Sequence, residues 1–297
     1  MTSGTDGSPA GDKVALRCME IWGGNRAVDQ GVSVPGVDVY VYSSPHDGGD
    51  AGGDIYSISQ CGAGNIVRFV LADVAGHGSS VTELAGTLQR MMRRYINTPD
   101  QTRFARELNR AFDSVAREGR FATALLATYW APTSHLILVN AGHPPPLRYS
   151  AGNGRWSYIE RSELGEDAAL NLPLGVIEPT SYSQEAVALE PGDVVVMYTD
   201  ALVEAGAERG EALGQEGLLA LVSELGETQP CRVGTALREL AREARGGRDA
   251  GDDETVIVLG HNGAKPPEQT LTRRLSTLGR MIGLGRVYRG EPGYAPG

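Results

Sequence analysis

A mainly apolar run, Ile66 to Ala72, ends in an acid, Asp73, and the turn Val74-Ala75-Gly76-His77-Gly78-Ser79-Ser80 follows before a helical pattern begins. This reads as a strand delivering a carboxylate to a tight turn at the mouth of a helix. Four other acids, Asp54, Asp200, Asp252 and Asp253, also sit at strand edges or turns. Hard divalent cations such as Mg²⁺ and Mn²⁺ take several oxygen ligands that converge from different elements. Asp73 is therefore expected to be the hub of such a site.

The surrounding pattern predicts the scaffold. Val37 to Tyr42 alternates as a half-buried strand does. Gly53 to Gln60 and Ile66 to Asp73 flank the turn Gly62-Ala63-Gly64-Asn65, which predicts a hairpin. That pairing makes neighbours of the strands bearing Asp54 and Asp73. Ser79 or Ser80 is expected to cap a helix carrying Val81, Leu84, Leu88, Met91 and Tyr95, and a second helix carries Phe104, Leu108, Phe112 and Val115. Strands follow at Ala124–Trp130 and Leu136–Asn140, then shorter ones near Leu147–Tyr149, Trp156–Glu160 and Tyr182–Leu189. The continuously apolar Val194 to Thr199 predicts a central strand ending in Asp200. Two helices, with faces at Leu218–Leu225 and Val233–Ala244, precede a last strand, Thr255–Leu259. This is not the alternation of a parallel sheet. It predicts an α+β fold, a four-layer α-β-β-α sandwich of two antiparallel sheets with helix pairs outside.

Domain expectations follow the composition. Residues 1–36 read as an N-terminal extension, its first twelve or so disordered, 37–262 as the folded domain, and 263–297 as a basic C-terminal tail. The net charge of -10 argues against non-specific nucleic-acid binding. Three widely spaced cysteines form neither a disulfide framework nor a zinc ribbon, so a reducing, cytoplasmic setting is expected. No run approaches the ~20 apolar residues of a transmembrane segment, and Met1–Gly11 lacks the pattern of a signal peptide.

Six motifs in order now add up: Gly52-Gly53-Asp54, Asp73-Val74-Ala75-Gly76-His77-Gly78, Asn140-Ala141-Gly142-His143-Pro144, Leu172-Pro173-Leu174-Gly175, Tyr198-Thr199-Asp200 and Asp252-Asp253-Glu254-Thr255-Val256. Their order and spacing resemble the PPM-type metal-dependent serine/threonine phosphatases, in the bacterial SpoIIE-like (RsbU-like) branch. The resemblance implies a two-metal centre holding Mn²⁺ or Mg²⁺. Asp73 would bridge both ions, Asp54 and the Val74 carbonyl would hold one, and Asp200 and Asp252 the other. Asp253 would stand beside the ligands and orient them. Asp73 and Asp54 are then the catalytic carboxylates, and the implied reaction is hydrolysis of phosphoserine or phosphothreonine on a protein, of the anti-sigma-antagonist type, in partner-switching signalling. The resemblance also implies control by an activating protein or a homodimer, acting on the helix pair 79–97 and 101–118.

The chain departs from the family pattern in two places. Ser57 stands where many relatives carry an acid, and Ala75 where wider relatives carry a histidine. They motivate the competing reading of a catalytically weak or inactive binding module on the same fold. Neither His77 nor His143 has an assigned role. A diguanylate-cyclase-like reading of Gly52-Gly53-Asp54 fails, because Ile55-Tyr56 lacks the second acid and Phe of that signature.

Overall fold

The computed structural model of the chain describes residues 13–265, apart from 17–19, 62, 63, 77, 97, 99, 117, 118, 160–169 and 211. The disordered start expected over the first twelve residues and nearly all of the basic tail lie outside them. In chain order the strands β1 (Val14–Ala15), β2 (Ile21–Gly24), β3 (Val28–Val34), β4 (Val37–Ser44), β5 (Asp54–Cys61) and β6 (Ile66–Val74) come first. Helices α1 (Ser79–Tyr95) and α2 (Gln101–Asp113) follow. Then come β7 (Ala122–Trp130), β8 (His135–Ala141), β9 (Leu147–Ser150), β10 (Arg155–Tyr158), β11 (Glu185–Ala188) and β12 (Val194–Tyr198). Helices α3 (Gly214–Ser223) and α4 (Pro230–Ala244) and the strand β13 (Glu254–His261) close the sequence of elements.

Two sheets stack face to face, one ordered β1-β3-β4-β13-β12-β9-β10 and the other β11-β8-β7-β6-β5-β2. Period-two alternation gives each strand one face toward the other sheet and one toward helices. Val39, Val41, Ile58, Phe69, Leu71, Leu125, Val195, Met197 and Ile257 fill the space between the sheets. The opposite faces bury Val70, Ala72 and Leu126 under α1 and α2, and Val196, Val256 and Val258 under α3 and α4. The four-layer sandwich expected from the sequence is the architecture observed.

Three details differ. The domain begins before residue 37, because β3 pairs with β4 from Val28↔Ser43 to Val34↔Val37 and β2 pairs with β5. Polar Asp29 and Gln30 and the glycines of Ile21-Trp22-Gly23-Gly24 hide these strands from a periodicity reading. At Gly23 any Cβ would collide with the Tyr56 carbonyl oxygen. The sheets are antiparallel except for β1, which runs parallel to β3. Finally, Gly78 caps α1 at φ 93°, and Ser79 and Ser80 are its first helical residues.

Strand β6 fixes both ends of α1. Its C-terminal end Val74 leads through the turn into the helix. Its Arg68, buried, donates from Nη1 to the Ile96 carbonyl and from Nη2 to the Thr98 carbonyl at 3.1 Å. Ile96 is the C-cap residue of α1, whose carbonyl a helix end leaves without an intrahelical partner, and Thr98 lies two residues beyond it. Arg68→Met, which keeps the length and removes both charged hydrogen bonds, is expected to cost about 2 kcal/mol in urea unfolding. A stability equal to the parent's would show that α1 is held by its apolar face alone.

Candidate metal centre

The core between the sheets ends, at one edge of the sandwich, in a row of polar residues. Alternation continues past the last apolar positions, so Asp54, Asp73 and Thr123 follow Tyr56, Leu71 and Leu125 onto the inner face of one sheet. Ser43, Thr199 and Thr255 follow Val41, Met197 and Ile257 on the other. Asp54 and Asp73 stand directly opposite each other in the β5–β6 register, and Thr123 lies opposite Asp73 on β7.

Hydrogen bonds run across this row. Ser43 Oγ and Thr255 Oγ1 are 2.9 Å apart, and Thr255 N donates to Thr199 Oγ1 at 2.9 Å. Thr199 Oγ1 donates to Asp54 Oδ2 at 2.9 Å, crossing from one sheet to the other. Asp54 Oδ1 is buried and has no hydrogen-bond partner. An orphaned carboxylate oxygen in a buried site is costly unless a cation or donor meets it.

The remaining acids come from loops beside this edge. Asp200 opens a short 3-10 turn, Asp200–Leu202, directly after Thr199, and is half-buried. Asp252 is exposed, and its Oδ1 accepts from Asp253 N at 2.8 Å. Both Asp253 oxygens are engaged by backbone: Oδ1 accepts from His46 N at 2.6 Å and Oδ2 from Gly53 N at 2.5 Å. Asp253 therefore clasps the Gly52-Gly53-Asp54 loop. A Cβ at Gly52 would stand 2.4 Å from its Oδ1, so only glycine admits the carboxylate. Val74 is buried, and its carbonyl oxygen would lie 3.1 Å from a Cβ on Gly53, facing the same loop. A buried ion pair ties the two acid-bearing loops together. Arg245 Nη2 lies 2.6 Å from Glu254 Oε2 and donates to the Ala201 carbonyl at 2.9 Å.

Crowding shows in the protonation equilibria. Burial, then the charge of Asp73, pushes Asp54 well above the carboxylate range. Burial raises Asp73 to about 7, with Asp200, Asp252, Asp253 and Glu204 adding like charge. Asp200 rises to about 6 through burial, Glu204 and Asp252. Such shifts mark acids gathered without compensating cations. Among the described residues no three His, Cys, Asp or Glu side chains close into a cage by themselves. The donor set is nonetheless all oxygen, drawn from four loops or strand ends, and includes one buried oxygen without a hydrogen-bond partner. That chemistry fits hard divalent ions.

Every sequence-predicted acid lies at this edge. Glu204, Thr199 and Thr123 were not anticipated. Glu204 follows Asp200 by one turn, its N–H donating to the Asp200 carbonyl at 2.9 Å. Carrying the alternation of β12 and β7 one step further would have placed the two threonines. Ser57 is fully buried on the helix-side face with Ile55, opposite in parity to Asp54, so its position does not face the acids. His143 is buried, and its Nδ1 is 2.8 Å from Thr123 Oγ1. Burial lowers it to about 3, so it is neutral. The Asn140 side chain holds its backbone from both sides, accepting from His143 N at 2.7 Å and donating to His143 O at 2.8 Å. His77 lies outside the described residues.

The family model for stage II sporulation protein E (SpoIIE) matches residues 63–262, more than half of the chain. The chain belongs to the SpoIIE family. Phosphoserine phosphatase RsbU of Bacillus subtilis (strain 168) is 26% identical over 147 residues, which are 48% of this chain and 41% of that protein. The solved RsbU and RsbW domains of Rv1364c from Mycobacterium tuberculosis superpose with a TM-score of 0.65 at 24% identity, covering 79% of this chain and 63% of that one. The PP2C phosphatase domain of SpoIIE from Bacillus subtilis, with a fragment of its regulatory domain, gives 0.61 at 18%, covering 75% and 63%. The chain thus spans about two fifths of this curated relative and under two thirds of either solved chain. More distant folds include RsbX solved with magnesium, TM-score 0.58 at 17% identity over 78% of this chain and 99% of that one. The catalytic domain of the serine/threonine phosphatase PstP was solved with two manganese ions, TM-score 0.51 at 16% over 75% and 97%. Among the described residues of the present SpoIIE-family chain, no helix is long and apolar enough to cross a membrane.

Two outcomes test this geometry. An acid whose folded pKa is raised binds more protons folded than unfolded between the two values, so stability falls as pH rises through that interval. For Asp73 the interval runs from 3.8 to about 7. Chelated protein is expected to lose urea stability as pH rises from about 4 to about 7, and Asp73→Asn to flatten the slope. A flat parent profile would contradict the crowding. Separately, Asp253→Asn puts an amide N–H₂ against a backbone N–H and is expected to weaken Mn²⁺ binding by about 10–100-fold in calorimetry. Unchanged affinity would show that the clasp does not matter to the ions.

Proposed function

We propose that this chain hydrolyses phosphoserine or phosphothreonine on a protein substrate, using two Mn²⁺ or Mg²⁺ ions. In this reading Asp54 and the Val74 carbonyl would hold one ion, Asp200 and Asp252 would hold the other, and Asp73 would be shared by both. The observation that carries the reading is the opposed pair Asp54–Asp73, with an orphaned buried oxygen on one member and raised protonation on both. Bound ions supply Lewis acidity, screen the phosphoryl dianion and make water a nucleophile near neutral pH.

The chain's own residues do the rest. Thr199 holds one oxygen of Asp54 by its hydrogen bond and leaves the other without a partner, available to an ion. Asp253 is a positioning residue that holds the Asp54 loop through Gly53 and His46 amides rather than a direct ligand. Glu204 adds negative charge beside Asp200 and Asp73, strengthening cation retention. His143, neutral and bonded to Thr123, steadies the floor under Asp73 and does not supply a proton.

Membership of the SpoIIE family and the likeness to a phosphoserine phosphatase support the reaction class. By the same likeness the substrate is a phosphoprotein of the anti-sigma-antagonist type in cytoplasmic partner switching, with an activating protein or a homodimer acting on α1 and α2.

Purified protein is expected to hydrolyse a generic aryl phosphate with Mn²⁺, to stop in chelator, and to lose at least ~100-fold in kcat on Asp73→Asn. Metal-independent turnover, or near-parental turnover in the mutant, would refute the assignment.

A further inference from the structure

Large apolar side chains exposed among the described residues are Phe121, Trp130, Val176 and Ile177, at 38, 38, 45 and 48%. Three of these four gather beside the acid cluster. The Phe121 carbonyl accepts from Ala75 N at 3.0 Å, two residues beyond Asp73. Ala122 and Leu174 form an antiparallel bridge, with N–O distances of 2.9 and 2.8 Å. The bridge runs segment 172–180 alongside the start of β7. It brings Gly175 and Val176 against Arg120 and Phe121, and a Cβ on Gly175 would stand 3.2 Å from the Arg120 carbonyl oxygen.

This segment is fixed in place. Asn109 of α2 is fully buried, and its Oδ1 accepts from Gly175 N at 2.8 Å. Its Nδ2 donates to the Ile177 carbonyl at 3.0 Å and to Glu178 Oε2 at 2.8 Å. Thr180 Oγ1 donates to the same Ile177 carbonyl at 2.6 Å. Gly175 has φ +83°, and a side chain there would press on the Phe112 ring at 2.9 Å. A buried amide with its donors and acceptor engaged thus holds two branched apolar residues out in water. Exposed apolar residues held on adjoining, fixed segments in this way point to an interaction site.

Charge selects the partner. Arg120 lies between the apolar residues and the turn after Asp73, and its Nη2 donates to Ser80 Oγ at 3.0 Å. Among the described residues no carboxylate pairs with it. The edge therefore presents an acid cluster, a guanidinium at its rim that no described carboxylate pairs with, and an apolar shelf beyond. With divalent ions held by the acids, a phosphorylated polypeptide segment complements all three.

We propose that Phe121, Val176 and Ile177 form a docking shelf for the phosphoprotein. The shelf receives an apolar side chain neighbouring the phosphorylated residue, and Arg120 faces the phosphoryl group. The inference rests on the phosphatase reading and adds the substrate feature that reading leaves open.

The test uses fluorescent peptides bearing a non-hydrolysable phosphonate analogue of phosphoserine, flanked either by Leu and Ile or by Ser and Asn. Their anisotropy is read against the full chain with Mn²⁺. The apolar-flanked peptide is expected to bind about tenfold more tightly, the scale of one buried apolar anchor. Val176→Ser with Ile177→Ser should erase that difference without changing thermal unfolding. Arg120→Gln should weaken both phosphonate peptides but not their serine counterparts. Equal affinities in the parent, or a preference that survives the double substitution, would overturn the shelf. So would a double variant that turns a dimer into a monomer in sedimentation while leaving peptide affinity intact, since the occupant would then be a second copy of the chain. Absence of aryl phosphate turnover in the parent would count against the catalytic reading alone, because the affinities compare without turnover.

Discussion

At the site a hydrogen bond crosses between the two sheets, from Thr199 Oγ1 to Asp54 Oδ2, and ties the acid on one sheet to the polar row of the other. The sandwich interior is apolar until its last layer, where Ser43, Thr255 and Thr199 meet Asp54, Asp73 and Thr123. A carboxylate in that layer loses its hydration, and Asp54 keeps one oxygen without a hydrogen-bond partner. Its neighbour across the β5–β6 ladder is another carboxylate. The cost is visible in the raised protonation of Asp54, Asp73 and Asp200. Crowded acids destabilise the folded state unless a cation meets them, which is the physical basis of the proposed two-ion centre.

The surroundings are built to hold that unfavourable cluster together. Asp253 draws the Gly53 loop in by its amides, and Arg245 joins the Asp200 turn to the strand after Asp253 through a buried pair. Arg68 anchors the far end of α1, whose near end begins in the turn after Asp73. The pair Arg245–Glu254 is better read as a geometric tie than as a source of stability, because desolvation offsets much of a buried pair's attraction. The proposed shelf follows the same logic: Asn109 fixes a loop so that its apolar tip stays available.

Much of this was legible in the sequence where one period governs a segment. Val37–Ser44, Ile66–Val74 and Val194–Tyr198 announce themselves by alternation or by continuous apolar character, and the hairpin spacing placed Asp54 beside Asp73. What escaped was set through space. β2 and β3 are strands because β5 and β4 offer them edges, not because Ile21-Trp22-Gly23-Gly24 or Val28-Asp29-Gln30 prefers extension. Thr199 sits inside a quoted motif, yet its role requires knowing that the other sheet presents Asp54 across from it. From the sequence Asp253 reads as a residue beside the ligands that orients them, without showing what it holds. Only the loop it clasps, 200 residues away in sequence, reveals what its oxygens do.

The most direct test of the proposed two-ion centre is electron paramagnetic resonance during Mn²⁺ titration. If Asp73 bridges two ions, the spectrum at two equivalents shows an exchange-coupled pair, and Asp73→Asn returns it to isolated ions or to free Mn²⁺. An uncoupled signal from one bound ion in the parent, or a coupled pair that persists in Asp73→Asn, would contradict the bridging carboxylate on which the account rests.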